Sequence, residues 1–332
     1  MVLVSVVLPV YNDVDHAPSA VTRLLRQRLP AETRLEVVVV DDGSSDGSAQ
    51  ALQLVAAQDD RISFVRQSEN SGVARARRRG VETAKGEWVW FVDSDDEWPD
   101  DAVGNLLAAA GVTPGRDDDT VDMVVADAEL VPMTGGVRRI SSPRSGRVTG
   151  SAAVEMLLTG DITGHLWNKL FRRRLLLQVE FPPAHVQSDL ALVAGALSEA
   201  RVVVPTSAVV YRYLKRAGSV ITSSSRRAES LAVVERSVLG AARRAGVAED
   251  NPALAYFCLR YIALSGVKDA LGGAYDEATS RSLLRSLRRR IGVRGVVTLA
   301  RRRDKRVALA VLAHAPRPVQ VRLLNPSSRL LA

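Results

Sequence analysis

The chain has 332 residues, 46% of them hydrophobic and 25% charged, which is a globular balance and room for two domains or one domain with an appendage. Its single cysteine, Cys258, excludes an intrachain disulfide, and no apolar run approaches the ~20 residues that a membrane-spanning helix needs. The start of the sequence has the pattern of a strand rather than a signal peptide. We therefore expect a soluble or peripheral protein, located in the cytoplasm or at the inner face of the cell membrane.

The formal charge of +8 is unevenly distributed along the chain. Residues 281–332 contain thirteen arginines and one lysine against one aspartate, a net charge of +13, so the rest of the chain sums to −5. The basic character therefore belongs to the C-terminal part and says little about partners of the remainder.

The first hundred residues alternate between strand and helix patterns. Apolar runs predict strands, and spaced apolar residues predict helices between them. The strands are predicted at residues 3–10, 35–40, 61–67 and 87–92, and the helices at 18–29, 45–58 and 71–86, the second helix being capped by Ser45 and Asp46. This order predicts an α/β fold, Rossmann-like, with a mostly parallel sheet and helices on both faces.

The alternation weakens after Trp98. We predict a helix at 101–111, a strand at 121–130, a loop or hairpin at 133–150, helices from 150 and from about 188, and a strand at 201–214. From about Arg226 onward the pattern is entirely helical. A Ser-rich break at 223–225 then separates an α/β domain, residues 1–224 (halves 1–98 and 99–224), from a basic helical domain, residues 225–332.

Polar clusters follow three of the predicted strands, at residues 9–13, 41–45 and 93–96. Ligands of open parallel sheets bind at the carboxyl ends of the strands, so these clusters predict a site. Asp93 and Asp95 are two residues apart, and in an extended chain both carboxylates would point the same way, toward one hard cation such as Mg²⁺ or Mn²⁺. The alternative is that Asp95 or Asp96 caps the next helix, and both roles can coexist.

Further residues near these strand ends suit a nucleotide. Asp41 could accept a hydrogen bond from a ribose hydroxyl or a base N–H, whereas Asp42 could equally be a turn or cap residue. The basic run at residues 74–79 has the pattern of a solvated helix face, yet one arginine pointing at the site would suffice to contact a diphosphate.

Three ordered motifs, "VSVVLPVYND", "VVVVDDGSSDGS" and "NSGVARARRRGVETAKGEWVWFVDSDD", resemble the GT-A glycosyltransferases of family 2. The resemblance is close over residues 4–98 and looser to about 222. It implies an inverting transferase that uses a nucleotide-diphosphate sugar, most often UDP-linked, with Mn²⁺ or Mg²⁺. By position it also implies donor contacts by Pro9, Tyr11, Asp41, Arg77, Asp93 and Ser94, and metal ligation by Asp93 and Asp95.

The acceptor side of the resemblance is looser. Asp189 stands where the family places its general base, and Tyr211 to Ser219 match a further element. Residues implied on the acceptor side are Asp96, Trp98, Trp167 and Lys169. Two positions depart from the family pattern, because Ser188 replaces a glutamate and Arg78 an asparagine. The first departure leaves open that Asp189 only caps its helix.

Direct displacement at an anomeric carbon needs a base for the acceptor hydroxyl and cations for the leaving diphosphate. The predicted residues include both. The implied acceptor is a glycan or a lipid-linked molecule of the cell envelope. The alternatives are a nucleotide-sugar-binding protein without catalysis, or a sugar-nucleotide pyrophosphorylase, although the Gly-rich loop expected after the first strand of the latter is missing.

The basic tail places Leu283, Leu284, Leu287 and Ile291 on one helical face. A basic amphipathic helix suits an anionic membrane surface, and the same pattern suits a helical bundle or a homo-oligomer contact. The bundle is favoured because Leu309, Val311 and Leu312 also call for burial. No nucleic-acid motif accompanies the charge, so no nucleic acid is expected as a partner.

Overall fold

The computed structural model describes residues 1–113, 115–144, 146–216, 227–272, 275–315 and 319. Within them, one mixed sheet has the strand order β3-β2-β1-β4-β8-β5-β9-β7, with β6 paired to β5. The strands are β1 (Val2–Val10), β2 (Thr33–Asp41), β3 (Ile62–Arg66), β4 (Trp88–Phe91), β5 (Val121–Val131), β6 (Arg138–Ile140), β7 (Val148–Thr149), β8 (Lys169–Arg172) and β9 (Val202–Leu214). Strands β3, β2, β1 and β4 are parallel to one another, and β8 pairs antiparallel with both β4 and β5.

Helices cover both faces of this sheet, and more helices follow it. They are α1 (Ala17–Leu24), α2 (Ser48–Ala56), α3 (Val73–Thr83), α4 (Ala102–Ala109), α5 (Gly150–Thr159), α6 (Arg173–Gln178), α7 (Ser188–Glu199), α8 (Ala228–Arg244), α9 (Pro252–Phe257), α10 (Leu264–Leu271), α11 (Glu277–Arg290), α12 (Val293–Arg301) and α13 (Val307–His314). A π-helical segment, Cys258–Ala263, joins α9 to α10. The predicted α/β fold with a C-terminal helical region is confirmed.

The two faces of the sheet follow from the alternation of side chains along each strand. In β1, Val6 and Leu8 pack with α1 and α4, whereas Val7 packs on the opposite face with α3. Because both faces are covered, the central strands are continuous apolar runs and their polar residues are confined to the ends. Those ends are where the candidate site lies.

The first helix is shorter than predicted. The spacing predicts it to residue 29, but α1 ends at Leu24. The following segment is held by the chain around residue 100 instead, since the Arg28 N–H donates to the Asp100 carbonyl at 2.6 Å and the Gln27 amide donates to the Pro99 carbonyl at 2.8 Å. These contacts replace the next turn of helix.

The second helix begins later than predicted, at Ser48, after Gly47 in the left-handed region (φ 97°). The expected capping residues lie before it and serve other contacts. Asp46 accepts hydrogen bonds from Ser48 N–H (3.0 Å) and, with its other oxygen, from Val14 N–H (3.1 Å). These two contacts of Asp46 therefore fix the loop after β1 against the loop after β2.

The C-terminal helices pack on the sheet layer and on one another. Val234 and Val238 of α8 and Phe257 of α9 are buried in the same core as α5 and α7. A further cluster of buried residues includes Leu284, Ile291, Leu309 and Leu312, with Leu283 and Leu287 packed against it. The apolar face of α11 is therefore buried against neighbouring helices, as the predicted helical bundle requires. Val311 is the exception to the expected burial, since it is 58% exposed.

The predicted domain boundary at residues 223–225 lies outside the described residues, so it stays a prediction. Among the helices that the structure describes, none is both long and apolar enough to span a membrane.

Candidate active site

The polar ends of β1, β2 and β4 meet at one edge of the sheet. Val10 lies opposite Asp41 and Val7 opposite Phe91 in the parallel register, which aligns the three carboxyl ends. The loops that follow are bonded together, because Asn12 N–H donates to Ser44 Oγ (2.9 Å) and the Ser94 hydroxyl donates to Asp13. The three clusters that the sequence separates by some thirty to fifty residues therefore form one surface.

The segment from Asp93 to Asp96 forms a turn, which we call the acidic turn. It is closed by a hydrogen bond of 3.3 Å from the Asp96 N–H to the Asp93 carbonyl. The expectation of an extended chain was therefore wrong, although Asp95 is close enough to Asp93 to raise its pKa. The capping alternative was also wrong, because α4 begins at Ala102 after Asp101, beyond the turn. The carboxylates of the acidic turn therefore do not cap the N-terminus of a helix.

Arg77 of α3 connects the acidic turn with Asp189 of α7. Its guanidinium donates to Asp189 Oδ1 at 2.5 Å and to Asp93 Oδ1 at 3.3 Å, and the residue is only 6% exposed. Of the basic run at residues 74–79, Arg77 is the buried arginine, whereas Arg78 and Arg79 are paired with Glu82 outside. One arginine of the run thus points into the site, whereas Arg75 and Arg79 lie on the solvated face and Arg78 also donates to the Val179 carbonyl at 3.3 Å.

Burial sets the charges in this cluster. It raises the pKa of Asp93 to about 6, with Asp189 and Asp95 adding to the shift and Arg77 opposing it. Burial lowers the pKa of Arg77, but the charges of Asp189 and Asp93 outweigh it and leave the pKa above its usual value. Arg77 is therefore a permanent cation between two carboxylates that repel each other.

Asp189 does not cap α7. Gln187 occupies the cap position in the left-handed region (φ 59°), and no side chain caps the helix there. Asp189 lies in the first turn, where Oδ1 accepts from Arg77 and, at 3.4 Å, from the Ser188 hydroxyl. Within the described chain no donor reaches Oδ2, so one oxygen is held and the other is available.

Asp41 and Asp42 at the end of β2 have different environments. Both are buried, at 0% and 3% exposure. Asp42 accepts from Gln67 (2.6 Å), from Ser71 N–H (2.9 Å) and from Gly72 N–H (2.8 Å), which fixes the loop before α3. Asp41 Oδ1, by contrast, is buried without a hydrogen-bond partner in the described part of the chain. Such an atom calls for a donor from outside the protein.

The two residues predicted beside Asp41 lie on the same edge. Pro9 is partly buried near the end of β1, and Tyr11 is 49% exposed just beyond it. An exposed aromatic ring near a buried carboxylate oxygen, Asp41 Oδ1, that has no partner among the described residues offers one face for stacking and one acceptor for recognition.

Strand β9 holds the acidic turn from the side. The Tyr211 hydroxyl accepts from Asp93 N–H (3.0 Å) and donates to Asp96 Oδ2 (2.9 Å), while Leu214 N–H donates to Asp96 Oδ1 (2.8 Å). Burial and the charge of Asp93 raise the pKa of Asp96 to about 8. The last residues of the predicted element, 217–219, lie outside the described residues.

The residues predicted on the acceptor side lie beneath this surface. Asp96, Trp98, Trp167 and Lys169 are 1%, 8%, 4% and 0% exposed. Trp167 stacks on Tyr211 with ring centroids 4.7 Å apart, and Arg23 lies 4.7 Å over the Trp98 ring. They form a rigid support for the turn; that they contact an acceptor stays a prediction.

Lys169 is a buried amine close to Asp189. Its Nζ donates to the His165 carbonyl (2.6 Å) and to Asn168 Oδ1 (2.8 Å). Burial lowers the pKa of Lys169 to about 7, with the charge of Asp189 opposing the shift. A neutral amine has two hydrogens, which match these two acceptors.

The site contains a chain of contacts that the sequence patterns did not predict. Asp13 accepts from Ser94 and lies 2.5 Å from His16 Nδ1, and His16 Nε2 lies 2.5 Å from Arg216, which also donates to the Asp95 carbonyl. Arg216 and His16 are 200 residues apart, and no local spacing relates them. Ser94, predicted to contact the donor, is engaged in this chain; its donor contact stays a prediction.

The acidic turn fits a hard divalent cation. Among the described residues no group of three His, Cys, Asp or Glu side chains could hold a metal. Asp93 and Asp95 supply two oxygen-ligand side chains, and no described donor reaches the Asp95 carboxylate. Burial raises the pKa of Asp93, and the charges of Asp189 and Asp95 add to the shift, so a cation at this place would stabilise its charged form. Two carboxylates leave positions for water and phosphate oxygens, as Mg²⁺ and Mn²⁺ prefer.

The sequence profile described as "Glycosyl transferase family 2" matches residues 5–176, more than half of the chain, which therefore belongs to that family. Glycosyltransferase TuaG of Bacillus subtilis, whose name assigns it to teichuronic acid biosynthesis, is 43% identical over 105 residues, 32% of this chain and 40% of TuaG. The chain thus matches less than half the length of this relative.

Solved structures share the fold at low sequence identity. S. aureus TarS residues 1–349 in complex with UDP superposes with a TM-score of 0.66 at 20% identity, covering 97% of this chain and 89% of TarS. The mannosyltransferase PcManGT of Pyrobaculum calidifontis, in complex with GDP-Man and Mn²⁺, superposes with a TM-score of 0.51 at 19% identity, covering 97% and 83%. Both superpositions cover the C-terminal helices as well as the sheet.

Proposed function

We propose that this chain transfers a sugar from a nucleotide-diphosphate sugar, a UDP-sugar in the first place, to an acceptor hydroxyl with inversion at the anomeric carbon. The observation that carries the proposal is the contact of Arg77 with both Asp189 and Asp93 at the carboxyl edge of the parallel strands. It brings a candidate base, a cation and the acidic turn together in a family 2 glycosyltransferase.

The nucleoside binds at the ends of β1 and β2 in this proposal. Asp41 Oδ1 is buried and unpartnered among the described residues, so it would accept a hydrogen bond from the base or the ribose. Tyr11 and Pro9 would flank the nucleoside. The UDP bound by TarS supports a uridine nucleotide, whereas the GDP-Man of PcManGT makes GDP the first competitor.

The diphosphate lies over the acidic turn. Asp93 and Asp95 would hold Mn²⁺ or Mg²⁺, which would neutralise the charge that develops on the leaving diphosphate. Arg77 supplies a second, permanent positive charge at the same place, in a buried environment where charge interactions are strong. The Mn²⁺ in the PcManGT complex supports the choice of metal.

The acceptor hydroxyl gives its proton to Asp189. Arg77 holds Oδ1 of this carboxylate, and Oδ2 receives the proton as the hydroxyl oxygen attacks the anomeric carbon. Because a single displacement at that carbon inverts its configuration, one base and one leaving group suffice. Ser188 in place of the family glutamate contacts only the held oxygen, Oδ1.

The acceptor that we propose is a glycan or lipid-linked molecule of the cell envelope, reached from the cytoplasm. The name of TuaG, which places that relative in teichuronic acid biosynthesis, supports this class. The buried residues Trp98 and Trp167 would support the acceptor side without forming its walls.

The test is calorimetric titration with UDP, GDP, CDP and dTDP, each with and without Mn²⁺, followed by measurement of nucleotide release from the matching sugar nucleotide. We expect metal-dependent binding of UDP and turnover that Asp189→Asn abolishes while binding persists. Glu180→Gln, an exposed residue on the loop before α7, is the matched control. No binding of any nucleotide to the folded protein would overturn the donor site, and binding without turnover on any acceptor would favour the non-catalytic alternative.

A further inference from the structure

We infer that α12 and the basic segments on either side of it form a docking surface for a bilayer that contains anionic lipids. This inference concerns the C-terminal helices alone and does not depend on the proposed transfer reaction. The surface consists of Val293 and Val297 on α12, Arg285 and Arg289 on α11, and Arg301, Arg303 and Lys305 at and after the end of α12.

The inner face of α12 is anchored to the protein. Leu299 is fully buried, Val296 packs against the cluster around Leu284, and a Cβ on Gly295 would lie 2.9 Å from the Leu259 side chain. The opposite face is therefore the one that points outward. Val293 and Val297, four residues apart on that face, are 81% and 42% exposed.

The basic side chains assigned to this surface have no acidic partner within the described part of the chain. Arg285, Arg289, Arg301, Arg303 and Lys305 are exposed, and no acidic side chain among the described residues pairs with them. The only acidic side chain of the sequence beyond residue 280, Asp304, accepts from the Tyr256 hydroxyl at 2.9 Å and lies 3.2 Å from Arg260 and 3.7 Å from Arg306, which are not among the cations of this surface. The positive charge of these five side chains is therefore not neutralised by acidic side chains of the described residues.

Charge and exposed apolar area together favour lipid over nucleic acid. Anionic headgroups attract each cation near the surface, and the acyl boundary gives the two valines an apolar phase that a nucleic acid cannot offer. Residues 277–315 contain no Phe, Tyr or Trp, so these helices present no ring on which a base could stack. A bilayer surface accounts for both features at once.

The experiment is co-sedimentation of the full chain with vesicles of phosphatidylcholine containing about one third phosphatidylglycerol, and with pure phosphatidylcholine. We expect binding to the anionic vesicles only, weakened by added salt. Each cation near such a surface contributes about 5-fold in affinity, so Arg301→Ser, Arg303→Ser and Lys305→Ser together should lower it on the order of 100-fold. Val293→Ser with Val297→Ser should lower it further.

Two control variants match these changes elsewhere on the surface. Arg26→Ser, Arg28→Ser and Arg34→Ser remove the same charge from exposed positions around β2 and α1, and Leu54→Ser removes an apolar side chain that is 68% exposed. Thermal melts check that each variant folds. Absence of binding to anionic vesicles, or equal losses in the control triple, would overturn the inference, as would binding of single-stranded RNA with vesicles left unbound.

Discussion

Arg77 donates to Asp189 at 2.5 Å although the two residues are 112 positions apart in the chain. The same guanidinium reaches Asp93 at 3.3 Å, so a single buried cation orients the candidate base and one end of the acidic turn. Each carboxylate is held through one oxygen. The planar fork of arginine allows this double contact, which the point charge of a lysine cannot reproduce.

We predict that Arg77→Lys lowers kcat by about 100-fold or more, because Asp189 and Asp93 lose their common donor and Asp189 is no longer fixed. Steady-state kinetics on the sugar nucleotide found by calorimetry measure the effect. Arg79→Lys, on the exposed side of the same helix and 4.0 Å from Glu82, is the control and should match the wild type. Unchanged kcat in Arg77→Lys would contradict the shared-donor role.

We predict that Asp95→Asn abolishes the Mn²⁺ dependence of UDP binding, since an amide oxygen carries no charge to hold the cation. Titration of UDP with and without Mn²⁺ checks this. The control is Asp100→Asn, an exposed aspartate just after the acidic turn, whose backbone carbonyl alone makes a contact with Arg28. If the variant kept metal-dependent binding, Asp95 would be excluded as a metal ligand.

We predict that Tyr211→Phe destabilises the fold by about 1 to 3 kcal/mol, because the Asp93 N–H and the Asp96 carboxyl lose their buried partner. Denaturant unfolding measures the free energy. The control is Tyr213→Phe, whose hydroxyl makes no hydrogen bond within the described residues, and it should cost less. A nucleotide titration of Tyr211→Phe should also show weaker binding, because the acidic turn is less well held. Equal stability of the two variants would contradict a stabilising role for the Tyr211 hydroxyl between Asp93 and Asp96.

Lys169 predicts a pH dependence of stability. Its pKa is lowered to about 7 in the folded protein from 10.5, so above pH 7 the unfolded chain binds more protons than the folded one. The contribution of Lys169 to the free energy of unfolding therefore rises as pH increases from 7 toward 10. Between pH 6.5 and 9 the gain is at most about 2 to 3 kcal/mol.

The variant Lys169→Met lacks this titrating group. The free energy of unfolding of the wild type, minus that of the variant, should therefore increase with pH over that range. Unfolding in denaturant at pH 6.5, 7.5 and 9 measures it. Lys215→Met, at the end of β9, is the control and should leave the slope unchanged. A difference that is constant with pH would mean that Lys169 keeps its charge when buried.

Local pattern alone was sufficient for much of the fold. The first four strands, their succession along the chain and the polar clusters at strand ends follow from apolar periodicity and from the rule that parallel strands align their carboxyl ends, whereas the place of each strand in the sheet and the central strand β8 were not predicted. Asp41, Asp93 and Asp95 could be named because carboxylates at the end of a buried strand need a partner. Helix ends were less certain, since contacts with distant chain, such as Arg28 with Asp100, decided where α1 stops.

Tertiary structure alone decided which side chains meet. No spacing indicates that Tyr211 bridges Asp93 and Asp96, or that His16 lies against Arg216. The residues implied on the acceptor side proved to be buried, because packing against β9 and β8 covers them. Periodicity records which face of an element is apolar, but the partner of a polar side chain depends on how distant elements pack, and only the folded chain specifies that.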